Sequence, residues 1–265
     1  MRMTPIEIHD PDDPRIAAYR NIRERDLTRR EGLFVAEGEV VLRTLLSPAS
    51  FCRPVSLLVA RKRLADVEAL LPDDVPIFVA DQAVLDGIAG FPLHRGLLGL
   101  GRKPDALSVE NLIAGAGSDA IVLVASGIGN HDNMGGLFRN AAAFGAHGVI
   151  LDGRCCDPFY RKAIRVSVGS ALRMPHAVEE DVEDVVARLE ARGFEVIALT
   201  PSATERLVDL RPGGRRAVLV GSEGPGLSSS VIGRCRSVAI PMSGGFDSLN
   251  VAVASAIALH HLTTT

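Results

Sequence analysis

The chain of 265 residues is longer than one average domain needs, and its 47% hydrophobic content is ordinary for a packed protein. With 29 Lys+Arg against 32 Asp+Glu, the formal net charge of −3 excludes a highly charged disordered chain and gives no global signature of nucleic-acid binding. Any RNA contact must come from a local patch, and its cations would be arginines, since Lys62, Lys103 and Lys162 are the only lysines.

No apolar run follows Met1-Arg2-Met3-Thr4-Pro5, so no signal peptide is expected. The longest apolar stretch, 249–262, carries Ser255, His260 and His261 and is too short to span a bilayer. Cys52, Cys155, Cys156 and Cys235 form no C-x-x-C pair. The expectation is a cytoplasmic protein with reduced thiols, a structural Cys155-Cys156 pair, no zinc site and no disulfide framework.

In chain order, residues 14–30 read as a charged helix and 34–36 as a short strand. Residues 37–46 follow as a helix, stopped near Ser47-Pro48. An apolar strand at 55–60 leads into a helix running to Leu71, and a strand at 76–79 into a helix at 81–88. A last strand is expected at 96–100, which makes residues 1–104 a small α/β domain. Residues 105–118 read as a linker with a helical stretch at 108–113, entered at Pro104 and left through Gly115-Ala116-Gly117-Ser118.

From 119 to 265 strand and helix alternate. Strands are expected at 121–125, 148–151, 195–199, 217–221 and 237–240. Helices are expected at 135–144, 161–171, 182–192, 228–234 and 248–262. Continuous apolar strands between amphipathic helices imply an α/β fold with a parallel sheet covered on both faces. No internal repeat is visible.

Active sites of open α/β sheets lie at the carboxyl ends of strands. Three polar, glycine-bearing loops fall there. The first, after 121–125, contains Asn133, Gly135 and Arg139; Asn133 is placed to cap the next helix, with Arg139 in that helix's early turns. The plain alternative is a capped helix with a surface arginine. Gly127-Ile128-Gly129 also invites a dinucleotide reading, but Asp132 occupies the third glycine position, and Asp152 is the nearest candidate for the acidic residue that fingerprint needs. The second loop, Gly221-Ser222-Glu223-Gly224-Pro225-Gly226-Leu227, makes a fixed turn around one carboxylate. The third runs from Ile240-Pro241-Met242 to Ser248-Leu249-Asn250. Asp247 or Ser248 is expected to cap the last helix, and Asn250 is a polar residue needing a specific partner. Ala252, Ala254, Ser255 and Ala256 would let that helix pack closely against another element.

In this order the segments resemble the three motifs of the SpoU (TrmH) family of RNA ribose 2′-O-methyltransferases, in the SPOUT superfamily. The matching residues are Asn133-x-Gly135-x-x-x-Arg139, Gly221-x-Glu223-Gly224-x-Gly226-Leu227, and Ile240-Pro241-Met242 with Ser248-Leu249-Asn250-Val251. The stretches Asp157-Pro158-Phe159-Tyr160-Arg161-Lys162-Ala163 and Ser167-Val168-Gly169 are also similar to the family, so the likeness covers 119–265. Phe34-Val35-Ala36-Glu37-Gly38 with Val41-Leu42 resembles the L30e-like substrate-binding domain often fused to it.

The resemblance implies a SPOUT-type domain with a C-terminal trefoil knot, an exception to the rule of unknotted chains, and a homodimer in which the last helix takes part. It implies methyl transfer from S-adenosylmethionine to a ribose 2′-hydroxyl of RNA, without a metal. Backbone groups at Gly221, Ile240 and Leu249, with Gly224, Gly226 and Met242, would hold the donor. Arg139 would contact the target ribose or its phosphate, Glu223 would orient Arg139, and Asn133, Ser248 and Asn250 would supply hydrogen bonds. A guanidinium is always charged, so fixing a substrate phosphate is an easier task for Arg139 than acting as base. Arg20, Arg23, Arg25, Arg29 and Arg30, near Arg15, form a candidate RNA-binding patch, diluted by Glu24, Asp26 and Glu31. The added domain favours ribosomal RNA over transfer RNA. The rival readings are a catalytically silent RNA-binding protein with the same fold and a nicotinamide-dependent enzyme.

Overall fold

The computed structural model describes residues 4–20, 28, 31–68, 73–89, 96–244 and 247–263. The chain divides into two compact units: Met1–Pro104 with Asp157–Arg173, and Asp105–Cys156 with Met174–Thr265.

The first unit is built on β1 (Ile6–Ile8), β2 (Leu33–Glu37), β3 (Arg53–Ala60), β4 (Ile77–Ala80) and β5 (Leu97–Arg102), in the order β1-β4-β3-β5-β2. The first three neighbours are parallel; β5 runs antiparallel to both β3 and β2. Helices α1 (Glu39–Leu45), α2 (Leu64–Glu68) and α3 (Gln82–Ala89) join the strands. The period-two alternation of a strand divides β3 between two cores. Leu57 and Val59 pack with Val41, Leu42 and Leu45 of α1, while Leu58 and Ala60 pack with Ile8, Ile16 and Leu85. Residues 14–30 do not begin as an α-helix: Asp13 accepts from the Arg15 N–H and starts a 3-10 turn, Pro14–Tyr19. Apart from Thr28, residues 21–30 lie outside the described residues. The strand β1 carries too few residues to show a pattern and was not expected.

The second unit holds α4 (Val109–Ile113), β6 (Ile121–Ala125), α5 (His131–Ala143), β7 (Gly148–Asp152), β8 (His176–Glu179), α7 (Val182–Ala191), β9 (Glu195–Leu199), β10 (Arg216–Val220), α8 (Ser229–Arg234), β11 (Arg236–Val238) and α9 (Val251–Thr263). Its strands form one sheet in the order β11-β9-β10-β6-β7-β8, with every pair parallel. The four central strands, β9, β10, β6 and β7, are nearly all buried, as their continuous apolar runs require. The edge strand β8 was not expected, because its alternating pattern leaves Val178 56% exposed.

Two boundaries differ from the sequence-based expectation. The segment read as a linker at 105–118 places Val109, Leu112, Ile113 and Ala116 in the core of the second unit. The segment Asp157–Arg173, read within the second unit, belongs to the first. Its Phe159, Ile164 and Leu172 pack with Phe34 and Leu42, and the Phe34 and Phe159 rings lie 5.1 Å apart. The helix expected there is cut short as α6 (Arg161–Val166), before Gly169 at φ 80° opens a 3-10 turn, Ser170–Leu172. Order along the chain cannot show that a segment returns to the other core.

Two contacts fix the elements that carry the site. Helices α5 and α9 pack closely because both offer small residues: a Cβ on Gly136 would lie 2.7 Å from the Ala252 Cβ. The Asn140 Nδ2 bridges the helices, donating to the Ala252 carbonyl at 2.6 Å and to Ser255 Oγ at 3.0 Å. The loop after β6 is fixed by Asp152, 2% exposed, at the end of β7. Its carboxylate accepts from Ser126 Oγ at 2.7 Å, the Gly127 N–H at 2.9 Å, and the backbone and guanidinium of Arg154. Burial alone would raise the Asp152 pKa, but these donors outweigh it and hold the carboxyl below its ordinary range. Asp152 therefore anchors a loop and is not the ribose acid of a dinucleotide site.

Replacing Gly136 by Ala favours an isolated helix by about 1 kcal/mol, but overpacking here costs about 1–3 kcal/mol. Gly136→Ala is expected to lower the urea midpoint; an unchanged or raised midpoint would show that α5 and α9 separate freely. For Asp152, a depressed native pKa contributes stability above the unfolded value near 3.9, lost as pH falls through the lower folded value. Asp152→Asn is expected to cost about 1.5–3 kcal/mol at neutral pH. Urea unfolding of both proteins should show that difference shrinking on acidification.

Candidate active site

The chemistry-bearing loops of the second unit stand at the carboxyl ends of its parallel strands, where such sheets bind ligands. The loop after β10 folds back on itself. The Gly226 N–H donates to the Ser222 carbonyl at 3.2 Å, and these residues pair as an isolated antiparallel bridge. The return strand presses so close that a Cβ on Gly221 would lie 2.6 Å from the Gly226 carbonyl carbon and the Leu227 nitrogen. Only glycine fits there without moving backbone. The turn itself passes through left-handed conformations at Gly224 (φ 88°) and Gly226 (φ 65°).

This loop forms one wall of a cleft of about 710 Å³, a size usual for small-molecule sites. Gly221, Gly224, Gly226, Ile240, Met242 and Leu249, the residues expected to hold the donor, all line it, as do Glu223, Ser248 and Asn250. A further wall was missed in the sequence: Leu199, Thr200, Pro201 and Ser202, where β9 ends. The signal available was their place after an apolar strand in a parallel sheet. Among the described residues, no group of three or more His, Cys, Asp or Glu side chains is arranged to hold a metal ion.

One carboxylate oxygen joins all three loops. Glu223 Oε1 accepts from Asn133 Nδ2 at 2.7 Å and from Asn250 Nδ2 at 3.1 Å. The Asn250 Nδ2 also donates to Asn133 Oδ1 at 2.8 Å. The orientation of Asn250 is set from behind: its Oδ1 accepts from the Ala252 and Val253 N–H groups at 2.9 and 3.3 Å. Asn250 is thus the cap of α9, a role expected of Asp247 or Ser248. Asn133 is not the cap of α5. Asn130 is, accepting from the Asp132 and Asn133 N–H groups at 2.8 and 3.4 Å. The helix therefore begins four residues earlier than expected, and Asn133, 6% exposed, turns inward from its first turn.

Arg139 is exposed on α5 and makes no hydrogen bond or ion pair with another described residue. Six residues beyond Asn133, it stands roughly 9 Å along the helix axis and about a third of a turn around. The expected contact with Glu223 is not formed: Glu223 Oε1 faces the two asparagines, and Arg139 stands further along the helix. The guanidinium keeps its donors for another partner. Cys155 supports the loop at Ile128: its thiol donates to the Ala125 carbonyl, its sulfur accepts from the Ile128 N–H, and burial pushes its pKa up to about 12.

The N-terminal arginine patch is partly spent within the fold. Arg20 pairs with Asp12 at 2.5 Å and donates to the Asp13 carbonyl, and Arg15 pairs with Asp13 at 2.6 Å. Arg23, Arg25, Arg29 and Arg30 lie outside the described residues. No helix among the described residues is long and apolar enough to cross a membrane.

The chain resembles known proteins over nearly its whole length. An uncharacterized tRNA/rRNA methyltransferase of Mycobacterium tuberculosis (strain H37Rv) is 38% identical over 269 residues, covering 97% of this chain and 91% of the relative. The AdoMet-bound rRNA methyltransferase of Sinorhizobium meliloti shares the fold with a TM-score of 0.80 at 22% identity, covering 97% of both chains. A structure described as an RNA 2′-O ribose methyltransferase has a TM-score of 0.77 at 26% identity, covering 97% of this chain and 98% of that one. The sequence profile of the SpoU rRNA Methylase family matches residues 120–260, which span the cleft, the asparagine–glutamate cluster and Arg139, and the chain belongs to that family.

Proposed function

We propose that the protein transfers a methyl group from S-adenosylmethionine to a ribose 2′-hydroxyl of structured RNA, ribosomal RNA ahead of transfer RNA. The observation that carries this reading is a cleft with one main-chain wall, hydrogen-bonded through Glu223 and Asn133 to the helix that presents Arg139, which has no partner among the described residues. The described relatives named as tRNA/rRNA methyltransferases and the structure named as a 2′-O ribose methyltransferase support it.

The cleft fits the donor. Glycine at 221, 224 and 226 keeps side chains out of the wall, so backbone N–H and C=O groups face the ligand. Ile240, Met242 and Leu249 offer apolar surface for a purine, and Glu223 places a negative charge in the lining. When bound, S-adenosylmethionine supplies a methyl group already activated on a positively charged sulfur. The residues are left with alignment and with the hydroxyl proton. Arg139 fixes a phosphate or the ribose of the target nucleotide. Because a guanidinium stays protonated, the proton lost as the O–C bond forms and the C–S bond breaks passes to that phosphate or to water. Asn133 and Asn250 keep Glu223 and the donor loop in register with α5.

The L30e-like character of the first unit and the trefoil knot of the second belong to the same proposal. The knot reading is supported by a cleft drawn from the loops after β9, β10 and β11. So does the homodimer. From Val251 to Leu259 helix α9 is apolar at every position but Ser255, and Val253 and Ile257, one turn apart, remain 48% and 39% exposed.

Arg139→Ala is expected to reduce methyl transfer to in vitro-transcribed ribosomal RNA by at least about 100-fold, as for loss of a group that positions the reacting centre. Donor affinity, measured by calorimetry, should stay at the wild-type value. Wild-type turnover by this variant would end its assigned role. Light scattering at micromolar concentration should give twice the chain mass, and Val253→Glu with Ile257→Glu should give the single-chain mass; a wild-type monomer would remove the dimer.

A further inference from the structure

In the first unit, β3 begins beside a surface that the motifs do not touch. Phe51 is 52% exposed and stands just before the strand. Cys52, between Phe51 and Arg53, is buried, so the ring and the guanidinium both lie on the outer side. Arg53 sits directly opposite Arg102 in the antiparallel pairing of β3 with β5. The Phe51 N–H donates to the Leu172 carbonyl at 2.9 Å, which brings the exposed Arg173 to the same edge.

These three arginines lack acidic partners. Arg53 and Arg173 make no side-chain hydrogen bond or ion pair with another described residue, and Arg102 donates only to the Glu31 carbonyl, at 3.3 Å. The nearby carboxylate of Asp157 is taken by Lys103. At the other end of β3 the pattern reverses: Arg61 is paired with Glu7 and Asp81, and Arg63 with Glu39. Like charges directly opposed across two strands repel. The unit pairs Arg15, Arg20, Arg43, Arg61 and Arg63 with carboxylates, yet leaves this directly opposed pair unneutralised beside an exposed aromatic ring.

We infer that Phe51, Arg53, Arg102 and Arg173 form a second RNA-binding surface, on which an unstacked base lies against Phe51 and its flanking phosphates are held by the arginines. The chemistry fits a single-stranded nucleic acid over other polyanions, and the proposed reaction makes that strand RNA. Arginine forks match phosphate oxygens in bidentate fashion, and any base offers a face that stacks on an aromatic ring. This inference rests on the RNA-methyltransferase reading and adds to it where the substrate is gripped away from the cleft.

The test uses the full chain with in vitro-transcribed ribosomal RNA, measuring binding by anisotropy across a salt series, together with kcat and KM for transfer. Phe51→Ala is expected to weaken RNA binding at least about fivefold, the loss of one base stack. Arg53→Gln with Arg102→Gln is expected to raise KM and to flatten the salt dependence by about one unit for each phosphate contact removed. Donor affinity and kcat at saturating RNA should not change. Lys62→Gln, an exposed cation at the far end of β3, is the control and should bind RNA as wild type. The inference is overturned if the Phe51 and double-arginine variants, folded by circular dichroism, keep wild-type RNA affinity and salt slope, or if Lys62→Gln weakens binding as much. A protein that needs this surface to bind RNA yet transfers no methyl group would sink the catalytic proposal and leave this one standing.

Discussion

The second unit depends on a single carboxylate oxygen. Glu223 Oε1 receives amide hydrogens from Asn133 and Asn250, residues on different helices and far apart in sequence. Neither asparagine is free to choose its orientation. Asn250 has its oxygen committed to the first N–H groups of α9, so its amide nitrogen must turn toward Glu223. Asn133 is held in the first turn of α5 by the Asn130 cap and by burial. Without the carboxylate, the buried Asn133 amide would lose its acceptor, at a cost of about 1–3 kcal/mol, and the exposed Asn250 would lose the contact that ties it to the loop. The cluster therefore couples the return loop of β10 to the starts of both helices.

This coupling explains how backbone and side chains divide the work. One wall of the cleft is main chain, because the loop after β10 closes on Gly221 too tightly for a side chain there. The polar side chains of the motifs mostly hold one another. Arg139 is the exception, exposed and without a hydrogen-bond or ion-pair partner among the described residues. Asp152 gives the adjoining loop the same treatment, with a buried carboxylate tying Ser126 and Gly127 to the end of β7.

Charge placement in the first unit follows a similar economy. Several of its described arginines are paired with nearby carboxylates, including Arg15 and Arg20, which a count of basic residues would assign to RNA. Among the described residues, Arg53, Arg102 and Arg173 have no acidic partner; they are scattered in sequence and gathered by strand pairing and by the return of the segment Asp157–Arg173.

The sequence by itself determined the parallel sheet of the second unit, since strands such as Ile121–Ala125 and Arg216–Val220 are apolar throughout and must be covered on both faces. It also placed three polar, glycine-bearing loops at strand ends, and the family resemblance named Gly221, Ile240 and Leu249 for the cleft, while the wall at Leu199, Thr200, Pro201 and Ser202 went unread. Only the tertiary structure decided the partners. Local rules gave Asn133 to a helix cap and the resemblance gave Glu223 to Arg139, yet the fold caps α5 with Asn130 and α9 with Asn250, leaving Asn133 and the Asn250 amide to meet each other and Glu223. The segment at 105–118 reads as a linker because it is short and glycine-flanked, but Val109 and Leu112 fill a core assembled from distant strands. Periodicity reports a residue's own burial; it carries no record of which distant group meets it, and hydrogen bonds and ion pairs are decided by that meeting.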